Sequence, residues 1–427
     1  MANKSVHIIG AGIGGLTAAY FLIKKKIPVT IWEKTKAGGL LSTIETSYGM
    51  VESAANSMIN TPLLQDLLDD INLKSISANK QSKKRLVYKN NSLINIINAA
   101  PKLELIKAKL SAKKIIKNNV PNETETVQEW VSTNFTKTIN DYIVEPMLQG
   151  IYGASTSNLS AKLVFNSFLN NPNSGDDFVL EENDQTPVKK EIVSFEKGMG
   201  EFTSCLLNFL MSQPGFRLVN KAYPHKLATN NNNVVIIATN IKTCGQLLNK
   251  LDTGLADKLL QQDLISLSTT TLFHSNEKEQ HKAFGCLFPK NQGFKNLGVL
   301  FNNQIFSNRA TKGVCSETWI SNNCHLKTEE IIESIKYDRL KVYKDCKNNF
   351  HHTVTTKWPE ALPLYNKELL ATQLHPGWKQ LEKNRIFVTG NYLSGIGLSK
   401  ILNQSKVAAS KATNNFKNTT NNLVANL

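Results

Sequence analysis

At 427 residues the chain is long enough for two or three domains and a large core. Hydrophobic residues make up 41% and charged residues 20%, which describes a globular chain and excludes a disordered one. Its 50 basic against 34 acidic side chains give a net charge of +16, which favours anionic partners such as nucleic acid, a lipid surface or a polycarboxylate substrate.

Val6-His7-Ile8-Ile9 reads as a short buried strand, and Gly10, Gly12 and Gly15 then fall on G-x-G-x-x-G. Leu16 to Ile23 is helix-compatible, and Val29 to Trp32 forms a second strand ending at Glu33. The competing reading is a secretory leader from Val6 to Ile23 behind Lys4. It fits less well, because the segment ends in Lys24-Lys25-Lys26 with no small-residue cleavage site before them. It is also too short and too glycine-rich for a membrane span, which needs about 20 apolar residues. A strand–turn–helix–strand unit with an acid roughly 20 positions after the turn is the context in which this motif becomes informative. Gly10 permits the tight turn, Gly12 lets a pyrophosphate approach the backbone, and Gly15 lets helix and strand pack closely. Ile13 and Gly14 open the helix, whose N-terminal N–H groups would meet the phosphates. Glu33, followed by Lys34, can accept both adenosine ribose hydroxyls and would repel a 2′-phosphate.

In "KTKAGGLLST", Gly38-Gly39 precedes Leu40, Leu41 and Ser42. A second glycine pair lets the backbone pass close to a cofactor that continues beyond its pyrophosphate, which points to FAD rather than NAD. Thr43 to Glu52 can supply a short hairpin, and "VESAANSM" then brings Ala54 and Ala55 near the same place. From Lys80 to Lys117 there are ten Lys and one Arg against the single acid Glu104, so 11 − 1 gives +10. Leu93, Ile96, Ile97 and Ala100 are spaced as one helix face before Pro101, and Leu103, Ile106 and Leu110 continue a similar stripe. This is either a solvated helical subdomain or a basic amphipathic surface lying on anionic lipid. Nucleic acid is disfavoured, since no binding fold or aromatic interleaving accompanies the charge.

"KGMGEF" (Lys197–Phe202) lacks the third glycine and a following acid, so no second nucleotide site for a nicotinamide is expected. "NNNVVIIATN" is a buried strand ending in Ala238-Thr239. Near the C-terminus a strand (Ile386–Thr389), a glycine turn and a helix follow one another. Gly390, Asn391, Gly397 and Leu398 would there meet the flavin end of the cofactor, or simply form an ordinary β-turn-α unit. The six cysteines show neither a C-x-x-C pair nor metal-ligand spacing, and His351-His352 has no companion ligands, so no metal is expected. The thiols read as reduced, in a cytoplasmic protein with any membrane contact peripheral.

The ordered set "KRLVYKN", "ETVQEWVSTNF…YIVEPMLQGIYGASTSNLS", "FEKGMGEF", "FGCLFP", "FNNQIFSNRA", "WPEALPLY" and "GNYLSGIGL" resembles the protoporphyrinogen oxidases within the FAD-dependent amine-oxidase/desaturase superfamily. Glu145-Pro146…Gly150-Ile151-Tyr152 and the C-terminal block separate this family from the monoamine oxidases. The resemblance implies an α/β fold: a discontinuous Rossmann-like FAD-binding domain (1–82, 191–255 and 380–427), a helical basic insertion (83–190) and an antiparallel-sheet substrate domain (256–379). It implies oxidation of protoporphyrinogen IX to the porphyrin in heme biosynthesis. Six electrons would leave in three flavin cycles, by hydride transfer to flavin N5, with oxygen or another acceptor taking them on. Pyrrole protons can leave to water, so no catalytic acid or base is demanded of the protein.

Lys89 matches a basic position of some family members and would receive a substrate propionate; otherwise it is one more solvated lysine. "FGCLFP" and "WPEALPLY" are candidate walls for the macrocycle, or core. The chain departs from the family pattern at Ala54, at Lys197-Gly198 and at Ser405, where glycine is expected, and Arg217 to Asn233 is too short to place an adenine contact. Two alternatives accompany the main reading. One is a coproporphyrinogen III oxidase of the same fold, which the positive charge favours. The other is a flavin-binding, tetrapyrrole-handling protein without turnover.

Overall fold

A computed structural model describes residues 5–170, 191–221, 233–275, 281–343 and 346–424; most of the Arg217–Asn233 stretch lies outside them. β1 (Val6–Ile9) is the middle strand of a five-stranded parallel sheet. The order across the sheet is Phe216–Asn220, β2 (Val29–Glu33), β1, Val234–Ile237, Ile386–Val388. Val6 lies opposite Val29 on one side and Val234 on the other. Both faces of this sheet are covered, which explains why its strands read as unbroken apolar runs rather than alternating ones. Ile8 and Ile236 enter a core with α1 (Ile13–Lys24), the helix Met199–Met211 and Leu402, Ala408 and Ala412 of the helix Leu398–Val424. Ile9, Val235 and Ile237 point the other way, to Ile241, Cys244, Leu248 and Trp130. The Rossmann-like unit is therefore as the glycine spacing predicts.

A second sheet has seven strands in the order His352–Pro363, Leu264–His274, Cys315–Ser321, Gly298–Phe301, Gly285–Leu287, Leu86–Lys89, Ser92–Asn95. All neighbours are antiparallel except Gly285–Leu287 and Leu86–Lys89. The helix Thr328–Val342 closes one side, setting Ile331, Ile335 and Val342 in a core with Val299, Phe288 and Trp319. Between the two sheets runs the hairpin of β3 (Thr43–Thr46) and β4 (Gly49–Glu52).

One expectation needs correction. The spacing of Leu93, Ile96, Ile97 and Ala100 predicts a helix, but Leu93 belongs to a strand paired with Leu86–Lys89, and Ile96–Asn98 is a single 3-10 turn. The cause is the dipeptide before it. Asn90 and Asn91 take positive φ angles of 51° and 57°, the two-residue mirror turn that matches the twist of paired strands. The segment expected as a helical insertion thus gives its first residues to the second sheet, and its helices begin only after Pro101. They are Lys102–Asn118, Val127–Asn134, Lys137–Ile139 leading through a π-helical stretch into Glu145–Tyr152, and Ala161–Asn170.

Candidate cofactor and substrate site

The glycines of the first turn are not equivalent. Gly10 has a φ of +100°, and a Cβ there would stand 2.5 Å from the Ala238 carbonyl oxygen; one on Gly15 would stand 1.9 Å from that of Gly10. The protein's own backbone requires both. Gly12 has ordinary extended backbone, and a Cβ on it would meet nothing nearer than the Gly39 Cα at 4.0 Å. Among the described residues nothing requires a glycine there, so its bareness leaves a space over the start of α1. That helix start has no side-chain cap and no acid in its first turn. Its first N–H groups have no intrahelical acceptor and sit at the positive end of the dipole. The donor set fits a pyrophosphate.

Glu33 closes the far side of this space. Its Oε2 accepts the Ala11 N–H at 2.8 Å, and its Oε1 accepts the Thr35 N–H at 2.8 Å and the Thr35 hydroxyl at 2.9 Å. The carboxylate is thereby fixed at the carboxyl edge of the sheet, and of its roughly four acceptor positions one remains for a ribose hydroxyl. Lys34 is exposed beside it. The second glycine pair lies on the first turn: the Gly38 N–H donates to the Ala11 carbonyl at 2.8 Å, and Gly39, at φ +61°, would bring a Cβ to 3.0 Å from the Gly12 Cα. Leu41 is buried, while Leu40 stays half exposed. Ser42 and the stretch before Ala54 and Ala55 are stitched together, because the Ser53 hydroxyl accepts from the Ser42 hydroxyl at 2.8 Å and donates to the Leu40 carbonyl at 2.8 Å.

The C-terminal turn reaches the same edge. The Thr389 N–H donates to the Ile237 carbonyl at 2.9 Å, and the helix Leu398–Val424 starts behind exposed Gly397 and packs on α1. Ser405 stands where the family pattern has glycine, and its hydroxyl is absorbed locally. It pairs with the Thr389 hydroxyl at 2.9 Å and donates to the Ile401 carbonyl at 2.8 Å, above Gly14. The carboxyl edge of one sheet therefore carries Gly10, Gly12, Ile13, Gly14, Gly15, Glu33, Gly39, Ala238, Gly390 and the start of the last helix.

Sequence reasoning missed a buried acid–base pair under the hairpin. The Glu52 carboxylate accepts the Met199 N–H at 2.9 Å and the Thr43 hydroxyl at 2.7 Å, and stands 3.7 Å from Arg309. Burial pushes its carboxyl pKa up, against the lowering pull of Thr43, Met199 and Arg309. Arg309 also donates to the Ser194 hydroxyl and to the Phe195 carbonyl at 3.4 Å, tying the second sheet's loop to the strand Ile192–Phe195. The glycines of "KGMGEF" belong to this packing. Cβ atoms on Gly198 and Gly200 would stand 2.4 and 2.8 Å from Thr43 atoms, so these residues serve a helix–hairpin contact.

Lys89 lies in the other sheet, away from the glycine turns. Its Nζ donates to the Ala99 carbonyl at 2.7 Å and stands 4.4 Å from the centre of the Tyr142 ring. Among the described residues no carboxylate pairs with it. Val87, Ile96, Ala99, Ile143 and Leu287 form the apolar patch around it. Of the two candidate walls, "FGCLFP" is largely core: Cys286 and Phe288 are buried, with Phe288 stacked on Phe294 at 4.0 Å. In "WPEALPLY", Tyr365 is buried against Tyr152, while Trp358 is half-buried. His351 and His352 stack on Tyr48 at 5.5 and 6.0 Å.

Comparison with known proteins agrees with this fold. The model of an NAD(P)-binding Rossmann-like domain matches residues 8–71. The mitochondrial protoporphyrinogen oxidase of Nicotiana tabacum is 24% identical, over 95% of this chain and 94% of that protein. The coproporphyrinogen III oxidase of Bacillus subtilis is 20% identical, over 96% and 98%. An oxidoreductase from Methanosarcina mazei superposes with a TM-score of 0.72 at 14% identity over 96% of this chain and all of that one. Cyclohexylamine oxidase from Brevibacterium oxydans does so with a TM-score of 0.70 at 14% identity over 97% and 99%. Over nearly its whole length the chain is thus similar, at 20–24% identity, to enzymes named protoporphyrinogen and coproporphyrinogen III oxidase, and it shares the fold of the solved oxidases.

Proposed function

We propose that the protein is an FAD-dependent oxidase that converts protoporphyrinogen IX to its porphyrin, with oxygen as electron acceptor. The observation that carries this is the bare Gly12, which no contact among the described residues requires, against Gly39 of the second glycine pair and two residues before Gly14, on which the C-terminal helix packs. The amides of Ile13, Gly14 and Gly15 hold the pyrophosphate and Glu33 the ribose. Gly39, Leu40, Leu41, Ser42, Ala54 and Ala55 run along the nucleotide, with Ala238 beneath it. Gly390, Asn391, Gly397 and Leu398 meet the ring end. Bound there, FAD supplies a two-electron acceptor, used three times for the six electrons of a porphyrinogen. The protein's share is to orient the macrocycle and to exclude other reactions. Purified protein is expected to be yellow, to release FAD on denaturation, and to generate porphyrin fluorescence aerobically from protoporphyrinogen IX. Colourless, folded protein that takes up no added FAD would overturn the proposal.

A second reading has two supports: the net charge of +16 and the similarity to a coproporphyrinogen III oxidase. Turnover of the tetracarboxylate porphyrinogen exceeding that of the dicarboxylate decides for it.

Lys89 anchors a propionate in this scheme. Its ammonium already sits against a carbonyl and a ring face, so a carboxylate would replace weak partners with a charge-assisted one. Lys89→Met is expected to lower kcat/KM about 10- to 100-fold, mainly through KM. An unchanged KM removes this role.

The basic helix Lys102–Asn118 is proposed to rest on anionic lipid. Leu103, Ile106 and Leu110 are 64%, 55% and 78% exposed between lysines, and among the described residues no helix is long and apolar enough to cross a membrane. Binding to anionic vesicles at low salt is expected to fall about 100-fold when Lys102, Lys107 and Lys109 become Gln. Equal binding by that variant, or equal binding to neutral vesicles, counts against a charged surface.

A further inference from the structure

We infer that Trp358 is a positioning residue for the cofactor: its indole N–H holds the Ser53 carbonyl, and so sets where the Ala54–Ala55 stretch lies along the nucleotide. The inference rests on the FAD reading above. Trp358 stands on the edge strand of the second sheet, 305 residues from Ser53, and its Nε1 donates to the Ser53 carbonyl oxygen at 2.9 Å. A bulge places it there. Ile265 pairs with Leu362 but Leu267 pairs with Trp358, so the edge strand carries extra residues at this point, and the Ser266 hydroxyl donates to the Pro359 carbonyl within the bulge. Bulges re-aim a side chain in this way.

The residue it grips is fixed on every other side. The Ser53 N–H donates to the Ser42 carbonyl at 2.9 Å, its hydroxyl bridges Ser42 and Leu40, and its neighbour Glu52 is held by Met199 and Thr43. Glu52 and Ser53 are each 4% exposed, whereas residues 54–57 are only partly covered. The chain thus leaves a pinned point and enters an open stretch beside the second glycine pair. Among the described residues, the indole is the part of that pin that comes from the second sheet's edge strand. Trp358 is itself half-buried, so full enclosure in a core does not account for its orientation. This arrangement links the wall of the substrate region to the loop that lines the cofactor.

Two variants test it. Trp358→Phe keeps a ring and loses the donor. Trp358→His is smaller, but its Nε2–H can occupy the place of the indole N–H, because the imidazole overlays the five-membered part of the indole. FAD affinity by fluorescence, the midpoint potential of bound flavin and the thermal midpoint of the apoprotein are measured for each. Trp358→Phe is expected to bind FAD about five- to tenfold more weakly with a shifted potential, and Trp358→His to recover most of both. A packing role alone would rank Phe above His; that ranking, or wild-type affinity and potential in Trp358→Phe, overturns the inference while leaving the FAD reading in place. Wild-type protein that binds no FAD removes the FAD reading first, and this inference with it. Thr355→Val removes the Thr270–Thr355 hydroxyl contact on the same strand, 3.0 Å long, and is expected to shift the thermal midpoint without moving FAD affinity.

Discussion

Gly15→Ala is expected to stop the first strand–helix unit from closing, whereas Gly12→Ala is expected to fold normally and lose FAD. The two residues belong to one motif, and the geometry separates them. A Cβ on Gly15 would stand 1.9 Å from the Gly10 carbonyl oxygen and 3.0 Å from its carbon, both backbone atoms at the end of a central strand. Relief requires α1 to slide away from the sheet, which would unpack Leu16, Ala18, Ala19 and Leu22 from their core. Overpacking against backbone in this way costs on the order of 3 kcal/mol or more, a large part of the stability of an ordinary domain. The readout is soluble yield and the chemical denaturation midpoint of the apoprotein. On Gly12 the methyl meets only the Gly39 Cα at 4.0 Å, and the backbone angles suit alanine. The methyl would instead occupy the space that the pyrophosphate needs, so FAD affinity should fall about 100-fold or more, with the apoprotein denaturing as wild type. Wild-type affinity in Gly12→Ala would mean that the nucleotide does not lie over this turn.

The contrast also shows what a sequence can carry. The turn, α1, β2 and Glu33 all lie within about one βα unit, where the spacing of glycines and the offset of an acid are local signals. The buried pair of Glu52 and Arg309, and the grip of Trp358 on Ser53, join residues far apart in the chain, and no local pattern marks them. Leu93 to Ala100 shows the opposite problem, a local pattern with the wrong cause. Four apolar residues happened to fit a helix face, while the informative signal was Asn90-Asn91, a pair suited to left-handed backbone. Ser405 reads as a departure from the family pattern until its partner is known. Once Thr389 is seen to share its hydroxyl, the residue needs no special account.

A second large stability effect is expected away from the glycine turn, at Glu317. This residue lies on the strand Cys315–Ser321 and is 3% exposed, and it gathers donors from three elements. Arg339 Nε stands 3.2 Å from one carboxylate oxygen and Trp319 Nε1 donates to the same oxygen at 3.0 Å. The Tyr343 hydroxyl donates to the other at 2.6 Å, and His274 Nε2 lies 3.2 Å from it. Burial alone would raise the Glu317 pKa, but Arg339, His274 and Tyr343 together hold it well below the usual carboxylate range. Glu317→Ala would leave fully buried Arg339 without its counter-charge and is expected to cost about 3–5 kcal/mol in urea denaturation at pH 7. The double variant Glu317→Leu with Arg339→Met should recover much of that loss, since apolar residues need no counter-charge. The pH dependence follows from the direction of the shift. A carboxyl depressed in the folded state stabilises above its unfolded value, near 4.5, and that contribution drains away as pH falls below it. The wild type should therefore lose stability steadily below about pH 4.5, and Glu317→Ala should show a shallower decline. A Glu317→Ala protein within about 1 kcal/mol of wild type at pH 7 would show that the network stabilises nothing on balance. Because the same donors tie the helix Thr328–Val342 to the sheet that carries the edge strand of Trp358, softening this core should also loosen that strand and its grip on Ser53.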